Sequence, residues 1–477
     1  MSTTTINSFL TLPVELFYRI LDHQNDFTIL FEMQNICQRF NKMIDSYYRY
    51  QTLTKVRLSE YTFSCQGAKY LADALKNNTT LTTLNLSDTL IGPAGTKCLR
   101  DGLKNNTILT TLYLEENQIG VEGAQHLSEL LKNNTTLMVL HLGNNQIGDE
   151  GTQCLADALK NNMTLIALYL DKNQIGVDGA QHLANALSNR QTFTTLHLGD
   201  NAIGENGVQY LANALKNNTT VTTFHIGGNH IGLRGAQYLA DVLKNNQMLI
   251  TLDLQSNQVG DVGAQYLADA LKNNKALTTL YLEGNKIGTV GAKHLADSLL
   301  NNETLVTLNL GYNQIGAEGV RHLSDALKNN TTLTTLCLEQ NGIGDGGTLH
   351  LGDALKQNQT LSILILSNND IENEGTQYLA DALKTNGTLA TLDLCENKIE
   401  YVGAQSLGDA LKINNTLTKL YLRWNLIEDK GVGYLAEALK KNTTLTALDV
   451  GGNQMRDEGG RYLFDALKTN TVTFIVF

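Results

Sequence analysis

Apolar and polar residues alternate over a few positions, then recur at helical spacing, and the whole pattern returns every 28 residues. Leu140-His141-Leu142 alternates in this way, which predicts a very short strand with both leucines inward. Asn145 follows in a turn, and Gly148 and Gly151 bracket the next one, where glycine allows close backbone approach. Thr152, Leu155, Ala158 and Leu159 then share one face of a helix. That helix ends near Lys160-Asn161-Asn162, where asparagine suits a left-handed cap. The unit is strand–turn–helix, so the next strand runs parallel to the first.

Self-similarity at a fixed period is the mark of a solenoid. One asparagine keeps the beat without insertion or deletion: Asn117, Asn145, Asn173, Asn201, Asn229, Asn257, Asn285, Asn313, Asn341, Asn369, Asn397, Asn425 and Asn453. Its side chain donates and accepts at once, so a ladder between neighbouring turns is expected. Adjacent strands need about 4.8 Å and adjacent helices about 8–10 Å, so the stack is expected to curve with strands inside. Strands beginning near Val56 and recurring through Leu448, with a shortened last one at residues 472–477, predict an α/β horseshoe of about fifteen units.

Composition narrows the function. The chain has 477 residues, 42% hydrophobic and 17% charged, with net charge −11 and pI near 5.4. That balance opposes nucleic acid and anionic membranes, which want basic stripes. Many acids fall just before helices (Asp149, Glu150, Asp178, Glu205, Asp261, Glu318, Asp345, Glu374, Asp457, Glu458) and lysines close them (Lys132, Lys160, Lys216, Lys272), as a helix dipole favours. Cys37, Cys65, Cys98, Cys154, Cys337 and Cys395 show no paired spacing and read as free thiols of a reducing, cytoplasmic compartment. No signal peptide is visible at the start, and no apolar run approaches the roughly 20 residues of a membrane span. Triplets such as Asn77-Asn78-Thr79 match the glycosylation sequon, but a structural role at the helix end is expected.

The phrase Leu-x-x-Leu-x-Leu-x-x-Asn-x-Ile-Gly, followed by Gly-Ala-Gln-x-Leu-Ala-x-Ala-Leu, resembles the leucine-rich repeat of the ribonuclease-inhibitor type over roughly residues 54–477. The resemblance implies protein binding on the concave sheet. Similar repeats occur in Ran GTPase-activating proteins and NLR immune sensors.

The pattern stops before Leu53, which divides the chain into a helical segment, 1–52, and the solenoid, 53–477. In the first segment Leu16, Ile20 and Leu21 make one apolar helical face, and Ile36, Phe40, Met43 and Ile44 another. The opening Leu12-Pro13-Val14-Glu15-Leu16 and the later Ile36-Cys37-Gln38-Arg39-Phe40 resemble an F-box. That resemblance implies docking on the adaptor subunit of a cullin–RING (SCF-type) ubiquitin ligase through Leu12, Pro13, Leu16, Ile20, Ile36, Cys37 and Phe40. Alternatively the segment is a small all-α cap over the open core, which solenoids need at their ends, and Phe9, Phe17 and Phe31 would suffice for that.

Specificity is expected in the slots that vary. The central strand slot reads Arg57, Asn85, Tyr113, His141, Tyr169, His197, His225, Asp253, Tyr281, Asn309, Cys337, Ile365, Asp393, Tyr421, Asp449. Two patches emerge as candidate binding surfaces for a protein substrate. One is Lys419, Tyr421, Arg423 and Trp424, the residue types enriched at hot spots. The other is the stripe Tyr113, His141, Tyr169, His197 and His225, which also suits plain cross-strand contacts. Catalysis is not expected. Glu115 and Glu116 fall in an unpocketed turn, no phosphate loop or nucleophile elbow appears, and uninterrupted repeats leave no inserted loop for an active site. No cofactor is expected. His197, His225 and Asp253 share one slot but interchange with tyrosine, which argues against a metal.

Overall fold

The computed structural model describes residues 53–59, 65–188, 192–468 and 474–476. The F-box-like positions, from Leu12 to Phe40, lie outside the described residues. The chain divides into two compact units, 1–203 and 204–477.

The first unit holds strands β1 (Lys55–Arg57), β2 (Thr83–Asn85), β3 (Thr111–Tyr113), β4 (Val139–His141), β5 (Ala167–Tyr169) and β6 (Thr195–His197). Each is parallel to the next, in chain order and in unshifted register. The second unit holds β7 (Thr223–His225), β8 (Thr251–Asp253), β9 (Thr279–Tyr281), β10 (Thr307–Asn309), β11 (Thr335–Cys337), β12 (Ile363–Ile365), β13 (Thr391–Asp393), β14 (Lys419–Tyr421), β15 (Ala447–Asp449) and β16 (Phe474–Val476), again parallel and in chain order. A helix follows each strand up to β15, except that the one after β6 opens the second unit. Both units are therefore stacks of the expected strand–turn–helix repeat.

The leucines that flank each strand slot are the core. Leu112, Leu140, Leu168, Leu280 and Leu420 are fully buried, as are Leu155 and Leu159 on the helix side. The asparagine ladder also forms. The amide of Asn117 donates to Asn145 Oδ1 at 2.9 Å, that of Asn145 to Asn173 Oδ1 at 3.0 Å, and that of Asn257 to Asn285 Oδ1 at 3.1 Å. Each side-chain nitrogen closes a carbonyl in the preceding repeat, as Asn145 Nδ2 does with Leu114 O at 2.8 Å. Buried polar groups are thus satisfied in two directions along the stack.

One expectation changes and one is extended. The asparagines at the helix ends are not left-handed caps. Asn134 is extended (φ −79, ψ 129), and its Nδ2 donates to Leu103 O at 3.1 Å while its Oδ1 accepts from Thr136 and Leu137. They form a second ladder on the opposite side of the core, which recurs at Asn162, Asn246 and Asn274. A carboxamide can serve backbone groups of two repeats, whereas a left-handed cap would serve one.

The acids expected at the helix starts do lie in the first turns of their own helices, as Asp149, Asp261 and Asp345 do. Several also cap the helix of the following repeat. Asp149 Oδ1 accepts from the amides of Gly176 (2.6 Å) and Gly179 (3.0 Å), and Asp261 Oδ1 from those of Gly288 (2.7 Å) and Gly291 (2.9 Å). Asp345 accepts from Glu372 at 2.8 Å, Asn373 from Glu400 and Gly403, and Asp429 from Arg456 and Gly459. Wherever such an acceptor precedes, the residue that opens the next helix is extended, as at Gly288 (φ −99) and Glu372 (φ −106). Where Val121 or Leu233 fills that slot, the next turn is left-handed instead. Gly148 (φ 60) and Gly260 (φ 65) then donate their amides forward, to the Asn173 and Asn285 carbonyls. Glycine meets the second turn without strain; Glu428 adopts it at φ 56.

Candidate binding surface

The exposed side of each strand and its following turn carry the variable side chains. In the first unit the expected stripe is a stack of rings. Tyr113 and His141 lie 4.2 Å apart between centroids, His141 and Tyr169 3.9 Å, and Tyr169 and His197 4.3 Å. Parallel pairing in register brings these four side chains to one row, and ring contact holds them half-buried. His141 Nδ1 sits 3.2 Å from Glu115 Oε1, and Ser87 Oγ donates to Glu115 Oε2 at 2.6 Å. Burial pushes the Glu115 carboxyl up, but the bonds from His141 and Ser87 outweigh it and leave its pKa below the usual range. His225 belongs to the second unit, where its Nδ1 lies 3.0 Å from Asp253 Oδ2.

The other patch is brought together. Lys419 and Tyr421 alternate with buried Leu420 on β14, and Arg423 and Trp424 follow in its turn. Trp424 is 59% exposed at φ 59. Its indole lies on Gly452 of the next repeat, where a Cβ would approach Cδ1 to 3.1 Å, and the Arg423 guanidinium carbon is 5.7 Å from the ring centre. Glycine in the neighbouring slot leaves room for the ring, so the indole is supported on one side and open on the other.

Sequence reasoning missed a third cluster. Tyr312 occupies the same turn slot as Trp424, is 44% exposed, and donates its hydroxyl to Glu339 Oε1 at 2.8 Å. The bond to Glu339 leads, with burial and the nearby Glu283 and Glu396 adding, and the phenol is pushed up to about 12. The signal was present as a large aromatic in a slot otherwise small or polar, but its carboxylate partner comes from the next strand.

Among the described residues no group of three or more His, Cys, Asp or Glu side chains is arranged to hold a metal ion. Cys98, Cys154, Cys337 and Cys395 are free thiols. Burial pushes the Cys337 thiol up to about 11, away from the reactive thiolate. Among the described residues no helix is long and apolar enough to cross a membrane.

The family described as Leucine Rich repeat matches residues 77–99, 105–128, 133–156, 161–184, 190–212, 217–240, 245–268, 273–296, 301–324, 329–349, 357–380, 414–436 and 441–464, more than half of the chain. The chain is a leucine-rich-repeat protein. Its repeats make it a scaffold of the kind that engages other proteins, in a fold typical of non-enzymatic interaction proteins. No curated protein matches it. Solved structures similar to it include the actin-binding site 2 of leiomodin-1 (28% identity, 26% of this chain and 70% of that one, TM-score 0.23). An internalin, InlF, from Listeria monocytogenes is 20% identical over 73% of this chain and 88% of that one, with TM-score 0.41. A chain in the Rad7 and Elc1 complex from yeast is 18% identical over 83% of this chain and 90% of that one, with TM-score 0.47.

Proposed function

We propose that this leucine-rich-repeat protein is a recognition subunit that holds a protein substrate on the exposed face of its strands. Residues 1–52 dock it on the adaptor of a cullin–RING ubiquitin ligase, and residues 53–477 form the binding part. The observation that carries the first half is the β14 patch. An indole 59% exposed beside Arg423 and Lys419 does nothing for the core, and suits an anchor for a partner. The ligase half is supported by the Leu12-Pro13-Val14-Glu15-Leu16 opening joined directly to the repeats. Free thiols fit a cytoplasmic setting.

Co-purification with the adaptor and cullin tests the ligase half. Wild-type chain pulls both down, and a Leu12/Pro13/Leu16 triple-alanine variant does not; equal recovery of the two ends that reading. The competing role for residues 1–52, a cap over the first repeats, predicts instead that their deletion abolishes soluble expression.

A further inference from the structure

The last helix among the described residues, Asp457–Leu467, leaves open a face that its predecessors bury against a following helix. Phe464 on that face is 68% exposed. Its slot holds Ala268, Ala380 and Ala436 in earlier repeats, all buried. Where the slot is glycine, at Gly352 and Gly408, a Cβ would come within 2.8 and 2.9 Å of the carbonyl oxygens of Tyr378 and Tyr434 on the next helix. The slot is thus where one helix meets the backbone of the next. The one long side chain in it among the earlier described repeats, Arg100, leaves for the surface to pair with Asp101 and Glu129. A phenyl ring has no polar end to draw it out. Phe464 therefore ends stacking of this kind and leaves an apolar face for another occupant.

The charges around Phe464 select that occupant. Asp457, Arg461, Phe464 and Lys468 are spaced i, i+4, i+7 and i+11, one stripe along the helix and its C-cap. The stripe points toward where a next repeat would sit. A Cβ at Gly433, in the Arg461 slot, would lie 3.2 Å from the Tyr462 ring of the following helix. Asp429, in the Asp457 slot, accepts from the following repeat's Arg456 and Gly459 amides, both at 2.8 Å. Asp457 itself has no hydrogen bond or ion pair among the described residues. Arg461 fills the slot of Arg321, which pairs with Glu318 and Asp325. In the last helix those two acid positions are taken, Glu458 by the Tyr462 hydroxyl at 2.6 Å and Asp465 by Lys468 at 2.7 Å. Arg461 is left exposed beside the ring.

We infer that this end of the second unit pairs with a second copy of the chain, the two last helices antiparallel about a two-fold axis. A two-fold makes every contact twice. With positions 457 and 468 opposite each other, Asp457 meets the partner's Lys468 and Arg461 lies on the partner's Phe464 ring. A parallel overlay would set like charge on like. The exposed Lys468–Asp465 pair is of a kind that contributes little, so it yields to the new contact. β16 ends the sheet on the same side, and the same axis sets its edge antiparallel to its copy, as strand edges pair. The helix has 11 residues and spans about 16 Å, so the contact is small and of the transient class.

Sedimentation velocity on the full chain, across about 1–200 μM, tests this at the strength of a weak contact. The wild type should shift from monomer toward dimer as concentration rises. Phe464→Ala, which installs the residue of the neighbouring repeats, should weaken association about ten-fold or more. Asp457→Lys and Lys468→Asp each place like charges opposite, and each should weaken self-association about five-fold or more. Mixed in equal amounts, these two variants should recover association at the wild-type level, because each supplies the charge the other lacks. Circular dichroism confirms that every variant is folded. A monomer at all concentrations, indifference to Phe464→Ala, or no recovery in the mixture overturns the assignment. If the wild type stays monomeric and chemical crosslinking joins Lys468 to Lys42, residues 1–52 cover the face and the second copy is ruled out.

Discussion

In the turn at Glu372 one repeat selects the backbone of the next, and Asp345→Ala should expose that dependence. The substitution removes the acceptor of the Glu372 amide, a 2.8 Å bond to a carboxylate. Loss of a helix cap of this type costs about 1 kcal/mol, and up to roughly 2. The turn then has one established alternative, the left-handed form of Gly148 or Gly260, in which the amide donates forward to the next asparagine carbonyl. For glutamate that form costs roughly 1–2 kcal/mol, because Cβ crowds the following carbonyl. Glycine escapes this cost. In the wild-type extended turn, however, Glu372→Gly should lose about 0.5–1 kcal/mol through greater freedom of the unfolded chain.

Independent effects would sum to about 1.5–3 kcal/mol in the double variant. If the acceptor sets the turn, glycine becomes favourable once Asp345 is gone. The double variant then loses no more than Asp345→Ala alone, a coupling of about 0.5–1 kcal/mol or more. Urea unfolding followed by fluorescence measures this cleanly. Trp424 is the single tryptophan of the chain and lies in the same unit, two repeats along from Glu372. Additivity within about 0.3 kcal/mol, or a double variant weaker than the sum, would refute the idea that the aspartate chooses the turn.

Other consequences are as direct. Asn257→Ala strips the Asn229 amide of its acceptor (2.9 Å) and the Ile226 carbonyl of its donor (2.8 Å), both buried. It should cost about 2–4 kcal/mol in urea unfolding, and under about 1 would show that the ladder is not stabilising. Trp424→Ala should lose more than about 1 kcal/mol of partner affinity by calorimetry with an unchanged unfolding midpoint; unchanged affinity returns the indole to a packing role. Glu115 has a folded pKa below its model-peptide value of 4.5, so its contribution is full above that pH and lost as pH falls through the lower folded value. Glu115→Gln should flatten that acid limb of the stability curve. Glu339 has the opposite sign: its raised pKa makes ionisation unfavourable in the folded chain, so stability rises as pH falls into its titration range. Glu339→Gln should raise the urea midpoint at pH 7, with the gap closing on acidification.

The period made the fold readable because each apolar slot has a single job. Leucines at Leu112, Leu140 and Leu168 must be inward whatever the turns do. The Asn145 ladder was legible for the same reason: one side chain type, one spacing, one set of backbone groups. The helix-end asparagines were misread because a left-handed cap and an extended bridge use the same residue, and choosing between them requires the neighbouring repeat. Asp149 was placed correctly in the first turn of its own helix, but its second role was not legible, since those partners lie 27 and 30 residues ahead. The Lys419–Trp424 patch was legible because it lies within one repeat. Tyr312 with Glu339 was not, because its chemistry exists only across two strands.

That division bears on where partner choice resides. On the helices, charges cancel locally: Lys160 with Asp157 at 2.7 Å, Lys272 with Asp269 at 2.8 Å, Lys356 with Asp353 at 3.1 Å, Lys412 with Asp409 at 2.7 Å. Exposed pairs of this kind add little stability, but they leave the helical face with a weak net field. Core leucines, both asparagine ladders and the turn aspartates are fixed by the frame. What varies is a strand slot and the turn that follows it, and in places there charges of one sign gather. Glu283, Glu339 and Glu396 crowd around Tyr312, while Lys419 and Arg423 flank an open indole. A partner that matched only the helical face would meet nearly the same surface in every repeat and could slip by one unit. A partner on the strand face meets a varied series of side chains at steps of about 4.8 Å, so its register is set by charge and ring together.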